Sequence, residues 1–248
     1  MGNFPVTIEG RIEEFHHSAT KTLPLGTVMK SPDGREFVYA RAGAVDLAAG
    51  RLVQQAVVVS GHGTDIVVAA AAAIGATSVT ITNNTTAIAA NDYAEGYLPI
   101  NDEAGEGYEY KVKSHPAADA TASCVLTLED EDGLRVALTT ASQVGLRKHE
   151  CDGVLVAPTT PTGIVVGVTV RAVTAAYYCW LLKKGPKAVL TNGTLIRGLG
   201  VCRSGTTAGA VDVYPLNSVD ASGQEVMIGE VMTVGASTEY SLVNFNIW

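Results

Sequence analysis

The chain has 248 residues, 47% hydrophobic and 17% charged, with a formal net charge of −8. That balance excludes a disordered chain. Acidic residues in excess, with basic ones scattered and densest only at Lys183, Lys184 and Lys187, also argue against a surface that neutralises nucleic-acid phosphates.

Residues 1–24, "MGNFPVTIEGRIEEFHHSATKTLP", mix isolated apolar side chains with charge and close on a proline, as an extended arm does. The start lacks the basic-then-apolar layout of a signal peptide and the Ser or Thr of a myristoylation signal. The expectation is a soluble chain made in a cytoplasm. Phe4, Val6 and Ile8 share one face at period two, and Ile12 and Phe15 offer further anchors. His16 and His17 would point to opposite sides of such an arm.

Periodicity favours strands nearly everywhere after the arm. "VMKSPDGREFVYA" reads as a hairpin, with Pro32-Asp33-Gly34 turning Val28-Met29 back into Phe37, Val38 and Tyr39. "SGHGTD" (Ser60 to Asp65) gathers Ser, His and Asp, but a triad assembles in space and needs a strained elbow, so a polar loop is expected. The run Ile66 to Ile74 is about half of what a membrane-spanning helix needs. Within it, Ala69 to Ala73 fits a single helical turn or an extended connection. "TSVTITNNTTAIAA" suggests a strand, an Asn-Asn turn and a second extended or partly helical piece.

"NDEAGEGYEYKVKSHP" (Asn101 to Pro116) packs acids and glycines as a calcium loop does. An EF-hand loop needs a bidentate Glu at its twelfth position, and here that position is Val112. The expected form is a hairpin with Tyr108, Tyr110 and Val112 on one face and Glu109, Lys111 and Lys113 on the other. "ASCVLTLEDEDGLRVALTT" repeats the plan around an acidic turn ending at Gly133. "VLVAPTTPTGIVV" suits a linker. "GIVVGVTVRAVTAAYYCWLLKKG" is the longest β-branched stretch and is expected to supply core strands, with Tyr178 and Trp180 on one strand face and Tyr177 on the other. In the closing "TEYSLVNFNIW", Phe245, Ile247 and Trp248 demand pairing in a sheet or burial against a partner.

The fold class expected is all-β, with an arm (1–24) and two small β-barrel or β-sandwich-like domains with little helix, 25–152 and 153–248. Three places, "AVDLAAGRLV", "AANDYAEGYLPI" and "AVLTNGTLI", set a glycine just ahead of an apolar strand start. They read as weak internal repeats or as one turn solution reached three times, and unequal spacing favours the second.

No Gly-Lys-Ser/Thr phosphate loop is present. The acids of "EDEDG" sit in a turn, the opposite of carboxylates facing across a cleft. Cys124, Cys151, Cys179 and Cys202 lie far apart without a C-x-x-C pair, a poor pattern for zinc. The expectation is therefore no enzyme, no catalytic or metal residue and no cofactor.

Three segments, "LGTVMKSPDGREFVYARAGAVDLAAGRLV", "AANDYAEGYLPINDEAGEGYEYKVKSHP" and "GIVVGVTVRAVTAAYYCWLLKKGPKAVLTNGTLIRGLGV", resemble virion structural proteins of tailed bacteriophages, in particular those that decorate capsids. The resemblance implies a cement protein on the outer capsid surface, bound to the major capsid protein and to itself as a dimer or trimer, with no direct nucleic acid and no membrane partner. Contact candidates are Phe4, Val6, Ile8, Ile12, Phe15, Tyr178, Trp180, Phe245 and Trp248. The alternatives are a head-fibre or tail protein binding host glycans and, less in keeping with the residues, a β-fold hydrolase using the acids of Asp102 to Glu109.

Overall fold

A computed structural model describes residues 7–10, 13–215 and 226–247. Regular structure among them is almost entirely strand, as expected, and the chain divides into two compact units. No helix among the described residues is long and apolar enough to cross a membrane.

The chain enters the larger unit with β1 (Thr7–Glu9), a 3₁₀ turn at Glu13–Phe15, β2 (His17–Ser18), β3 (Val28–Lys30), β4 (Glu36–Ala42) and β5 (Leu52–Gln54). It then builds the second unit, Val57–His149, from β6 (Ile66–Val68), β7 (Ser78–Thr82), β8 (Tyr97–Asp102), β9 (Glu109–Ser114), β10 (Ser123–Leu128) and β11 (Gln143–Val144). It completes the larger unit with β12 (Asp152–Val156), β13 (Val165–Thr169), β14 (Tyr178–Leu190), β15 (Gly200–Arg203), β16 (Val211–Val213), β17 (Gly229–Thr233) and β18 (Tyr240–Asn246).

The unit boundaries differ from those expected at 24 and 152. Residues up to Ala56 join Glu150 onward, and Val57–His149 is an insertion. The reason is pairing: β4 bonds to β12 and β14, and β5 bonds to β12 and β13, so both chain halves share one sheet. The described part of the arm belongs to that sheet as well, with β1 parallel to β3 and β2 antiparallel to β14.

In the larger unit, β4–β12–β5–β13–β14 closes on itself because β14 pairs β13 on one edge and β4 on the other. These strands are buried on both faces, so the sequence shows apolar runs where alternation would otherwise appear. Val38, Ala40, Ala42, Cys179 and Leu181 share the inner cluster. Phe37, Tyr39, Trp180 and Leu182 face the other way, into a cluster covered by β18, β17 and β15. Arg41 clamps the nearly buried Asp152 through Nε at 2.5 Å and Nη2 at 3.0 Å, a bidentate pair that fixes β4 against β12.

The inserted unit is a closed six-stranded barrel in the order β10-β7-β6-β11-β8-β9. Its strands alternate cleanly, as in β9 with Tyr110 and Val112 inside and Glu109, Lys111 and Lys113 outside. The pairing map is unchanged when β6, β7 and β8 are exchanged with β9, β10 and β11. The β6–β7 pair becomes β9–β10 and the β6–β11 pair becomes β9–β8, while β7–β10 and β8–β11 map onto themselves. The barrel is two equivalent halves.

Connections in both units reuse one device. A residue forms an isolated antiparallel bridge with its counterpart elsewhere, each donating its amide to the other's carbonyl: Leu47 with Val173, Ala72 with Leu138, and Ile88 with Ala118. In five of these six places the third residue onward has positive φ: Gly50, Gly75, Asn91, Thr121 and Ala176. Each of the five donates its amide to the connection across from it, as Gly75 does to Leu134 and Thr121 to Asn84, both at 2.8 Å. This device overlaps only part of the three places the sequence singled out. "AVDLAAGRLV" carries the device, the "AANDYAEGYLPI" segment follows its bridge at Ile88, and "AVLTNGTLI" does not carry it. Ala69 to Ala73 forms no helical turn: it bends at Ala69 and Ala70 and contains the Ala72 bridge, so the open choice there resolves to a connection.

Candidate binding surface

The sheet edge formed by β1 is the first place to look for contact, because β1 is the terminal strand of the larger sheet. Thr7, Ile8 and Glu9 pair with Val28, Met29 and Lys30, leaving the other row of β1 main-chain groups directed away from the sheet. Ile8 is half-buried against the core, so it anchors β1 to its own chain.

After β1 the chain folds back across β14. Glu14 is buried and accepts a hydrogen bond from Arg35 Nη2 at 3.1 Å, and Arg171 Nη1 donates to the Phe15 carbonyl at 2.8 Å. The Phe15 ring, held by these contacts at its main chain, is 51% exposed. His17 is half-buried and His16 exposed, the opposite placement expected of neighbours on an extended segment; burial, with the Arg171 charge nearby, lowers the His17 pKa. Ile8, Glu13, His16, Thr22, Leu23 and Trp180 line an open, mainly apolar groove of about 440 Å³ beneath this segment.

The structure sorts the expected contact residues. Phe15 is exposed. Tyr178 is half-buried, stacked on Tyr39 with ring centroids 5.7 Å apart. Two candidates are corrected: Trp180 is 5% and Phe245 1% exposed, and both belong to the core cluster of the larger unit. Their strands β14 and β18 pair with each other and carry covered faces, so these rings stabilise the sheet. Phe4, Val6, Ile12 and Trp248 lie outside the described residues. The basic group Lys183, Lys184 and Lys187 is no open patch. Burial lowers the pKa of Lys183 and Lys187, and Lys187 Nζ donates to the Val170 carbonyl.

The motifs that invited chemistry resolve into structure. In "SGHGTD", Asp65 accepts a hydrogen bond from Asn101 while His62 turns inward to the Tyr93 hydroxyl. "NDEAGEGYEYKVKSHP" is the β8–β9 hairpin, with Tyr108 and Tyr110 stacked at 6.5 Å on one side as expected. In the acidic turn, Arg135 binds Asp130 at 2.7 Å and Asp132 at 3.3 Å. All four cysteines are free and buried.

The tripeptide His149-Glu150-Cys151 has possible ligand atoms within 4.8 Å of one another, a grouping that the absence of a C-x-x-C pair does not reveal. A histidine two residues before a cysteine is the signal that marks it. Burial first, and then the Glu150 charge, push the Cys151 thiol up to about 12. Compared with protein-family models, curated proteins and solved structures, the chain matches none.

Proposed function

We propose that the protein is a non-enzymatic structural component of a tailed-phage virion. It binds the outer surface of the capsid and cements neighbouring capsomers of the major capsid protein, itself assembling as a dimer or trimer. The observation that carries this reading is the β1 edge, a short terminal strand whose outward main-chain groups suit strand addition to a neighbouring subunit. The resemblance of the three long segments to capsid-decorating proteins supports the setting. The exposed Phe15 side chain supplies an apolar anchor on the turn that follows β1. Net acidity suits a capsid exterior better than its DNA-lined interior. A small footprint repeated by symmetry gains strength through avidity.

The test is to incubate purified protein with empty, expanded capsids of a tailed phage. Co-sedimentation and a raised capsid melting temperature are expected. Protein that stays in the supernatant and leaves capsid melting unchanged would overturn the reading.

A further inference from the structure

The barrel unit buries three polar rings at one end, and the proposed capsid contact uses none of them. His62 is 1%, Tyr93 2% and His115 4% exposed. Their hydrogen bonds fix where the protons sit. The Tyr93 amide donates to His115 Nε2 at 3.0 Å, so that nitrogen carries no hydrogen, and Nδ1 donates to the Pro116 carbonyl at 2.9 Å. His62 Nε2 faces the Thr86 carbonyl at 2.9 Å and donates to it, which leaves Nδ1 to accept from the Tyr93 hydroxyl at 2.6 Å. Burial of that hydroxyl pushes its pKa up, so it stays a donor. Two neutral rings thus tie the connection between β7 and β8 to the segments before β6 and after β9.

The two rings respond differently to a proton. At His62 the Tyr93 hydroxyl can rotate and present its oxygen to a protonated Nδ1. At His115 the partner is a main-chain N–H, which cannot reverse, so a proton on Nε2 sets two donors against each other. Asn91 Oδ1 accepts from the His115 amide, and the Cys124 thiol points to the Pro116 carbonyl. Asn83 turns its amide nitrogen to the Thr86 and Asp119 carbonyls. Asp92, the carboxylate beside Tyr93, is held by Lys148 Nζ at 2.5 Å, and the Arg147 charge acts on the same tyrosine.

We propose that His115 is an acid-released latch: taking up a proton at Nε2, it frees the Tyr93 main chain and opens the β7–β8 connection at this end of the barrel. The released form binds one proton more than the latched form. The latch therefore weakens as pH falls.

The test is amide hydrogen exchange on the full chain, read residue by residue by NMR at about pH 7.5 and about pH 5. Protection factors remove the intrinsic pH dependence of exchange. Protection of the Tyr93 amide is expected to fall about tenfold or more in acid, while Ala72 and Leu138, bridged at the opposite end, keep theirs. In His115→Gln, whose side chain does not titrate, Tyr93 protection should no longer depend on pH. Equal loss at both ends, no loss at Tyr93, or a loss that persists in His115→Gln would overturn the proposal. If the variant does not fold, the comparison of the two ends in the natural chain decides.

Discussion

The two ends of the six-stranded barrel are equivalent in main-chain pairing and opposite in what fills them. At the Ala72–Leu138 end the plug is apolar: Leu134, Leu138 and Leu128 are buried, with Val136 packed against them. A few polar contacts complete it: the Arg135 amide donates to the Tyr110 hydroxyl at 3.0 Å, and the buried Ser142 hydroxyl donates to the Ala104 carbonyl at 2.7 Å. At the Ile88–Ala118 end the plug is His62, Tyr93, His115 and Asn83, joined by hydrogen bonds. The halves agree in bridges, strand order and the sign of φ at Gly75 and Thr121, though neither the turn residue nor the filler is shared. Reciprocal backbone bonds and alternation of burial are therefore enough to specify this barrel, and each end is free in how it excludes water. An apolar plug depends on volume alone. A polar plug depends on every donor finding its acceptor.

Removing volume from the apolar end should cost most. Leu134→Ala is expected to lower stability to urea unfolding by about 2–5 kcal/mol. A cost under about 1 kcal/mol would mean that end is loosely filled. Gly133→Ala comes next, at about 2–3 kcal/mol, because its φ is 65° and a Cβ would meet the Ala76 carbonyl oxygen at 2.4 Å. At the polar end, Tyr93→Phe leaves His62 Nδ1 without its donor and is expected to cost about 1–2 kcal/mol. A neutral result there would show that the hydroxyl contributes nothing to closure.

Gly75→Ala changes φ preference only, since its Cβ would enter open space, and about 1 kcal/mol is expected. Were it as damaging as Gly133→Ala, crowding would not be what separates the two glycines. The smallest effect belongs to Asp130→Asn. The Asp132 amide, and then Arg135, hold the Asp130 carboxyl below the usual carboxylate range. Its contribution is present above that range and lost as pH falls through the lowered value. Because the pair with Arg135 lies at the surface and is screened by water, melting of the variant should nearly overlay the natural protein at neutral pH and coincide with it in strong acid.

Local signals in the sequence were reliable where the partner strand is next in the chain. Pro32-Asp33-Gly34 marks the β3–β4 turn, and the alternation of Tyr108 to Lys113 marks β9 with its correct faces. β13 and β14 follow from their β-branched runs. The division into units was not legible, because β5 finds its neighbours in β12 and β13 beyond the whole inserted barrel, and no local pattern records such pairing. Trp180 and Phe245 read as contact residues because an aromatic in a strand looks the same whether its face is covered or free. The polar plug was visible only in pieces. His62 sits in a glycine-rich loop and His115 stands alone, and the Tyr93 that unites them comes from a third connection.

The long strand β14 has a mechanical consequence. Its first half is a stave of the closed ring, and its second half pairs with β18 through seven successive residues, Lys184 to Leu190. It passes from one to the other through Gly185, whose φ of 104° turns the strand without interrupting it. A pull along β18 is thus carried into the ring as shear, with many hydrogen bonds loaded together, whereas peeling would load them one at a time. Tension applied to this layer is shared by the ring behind it.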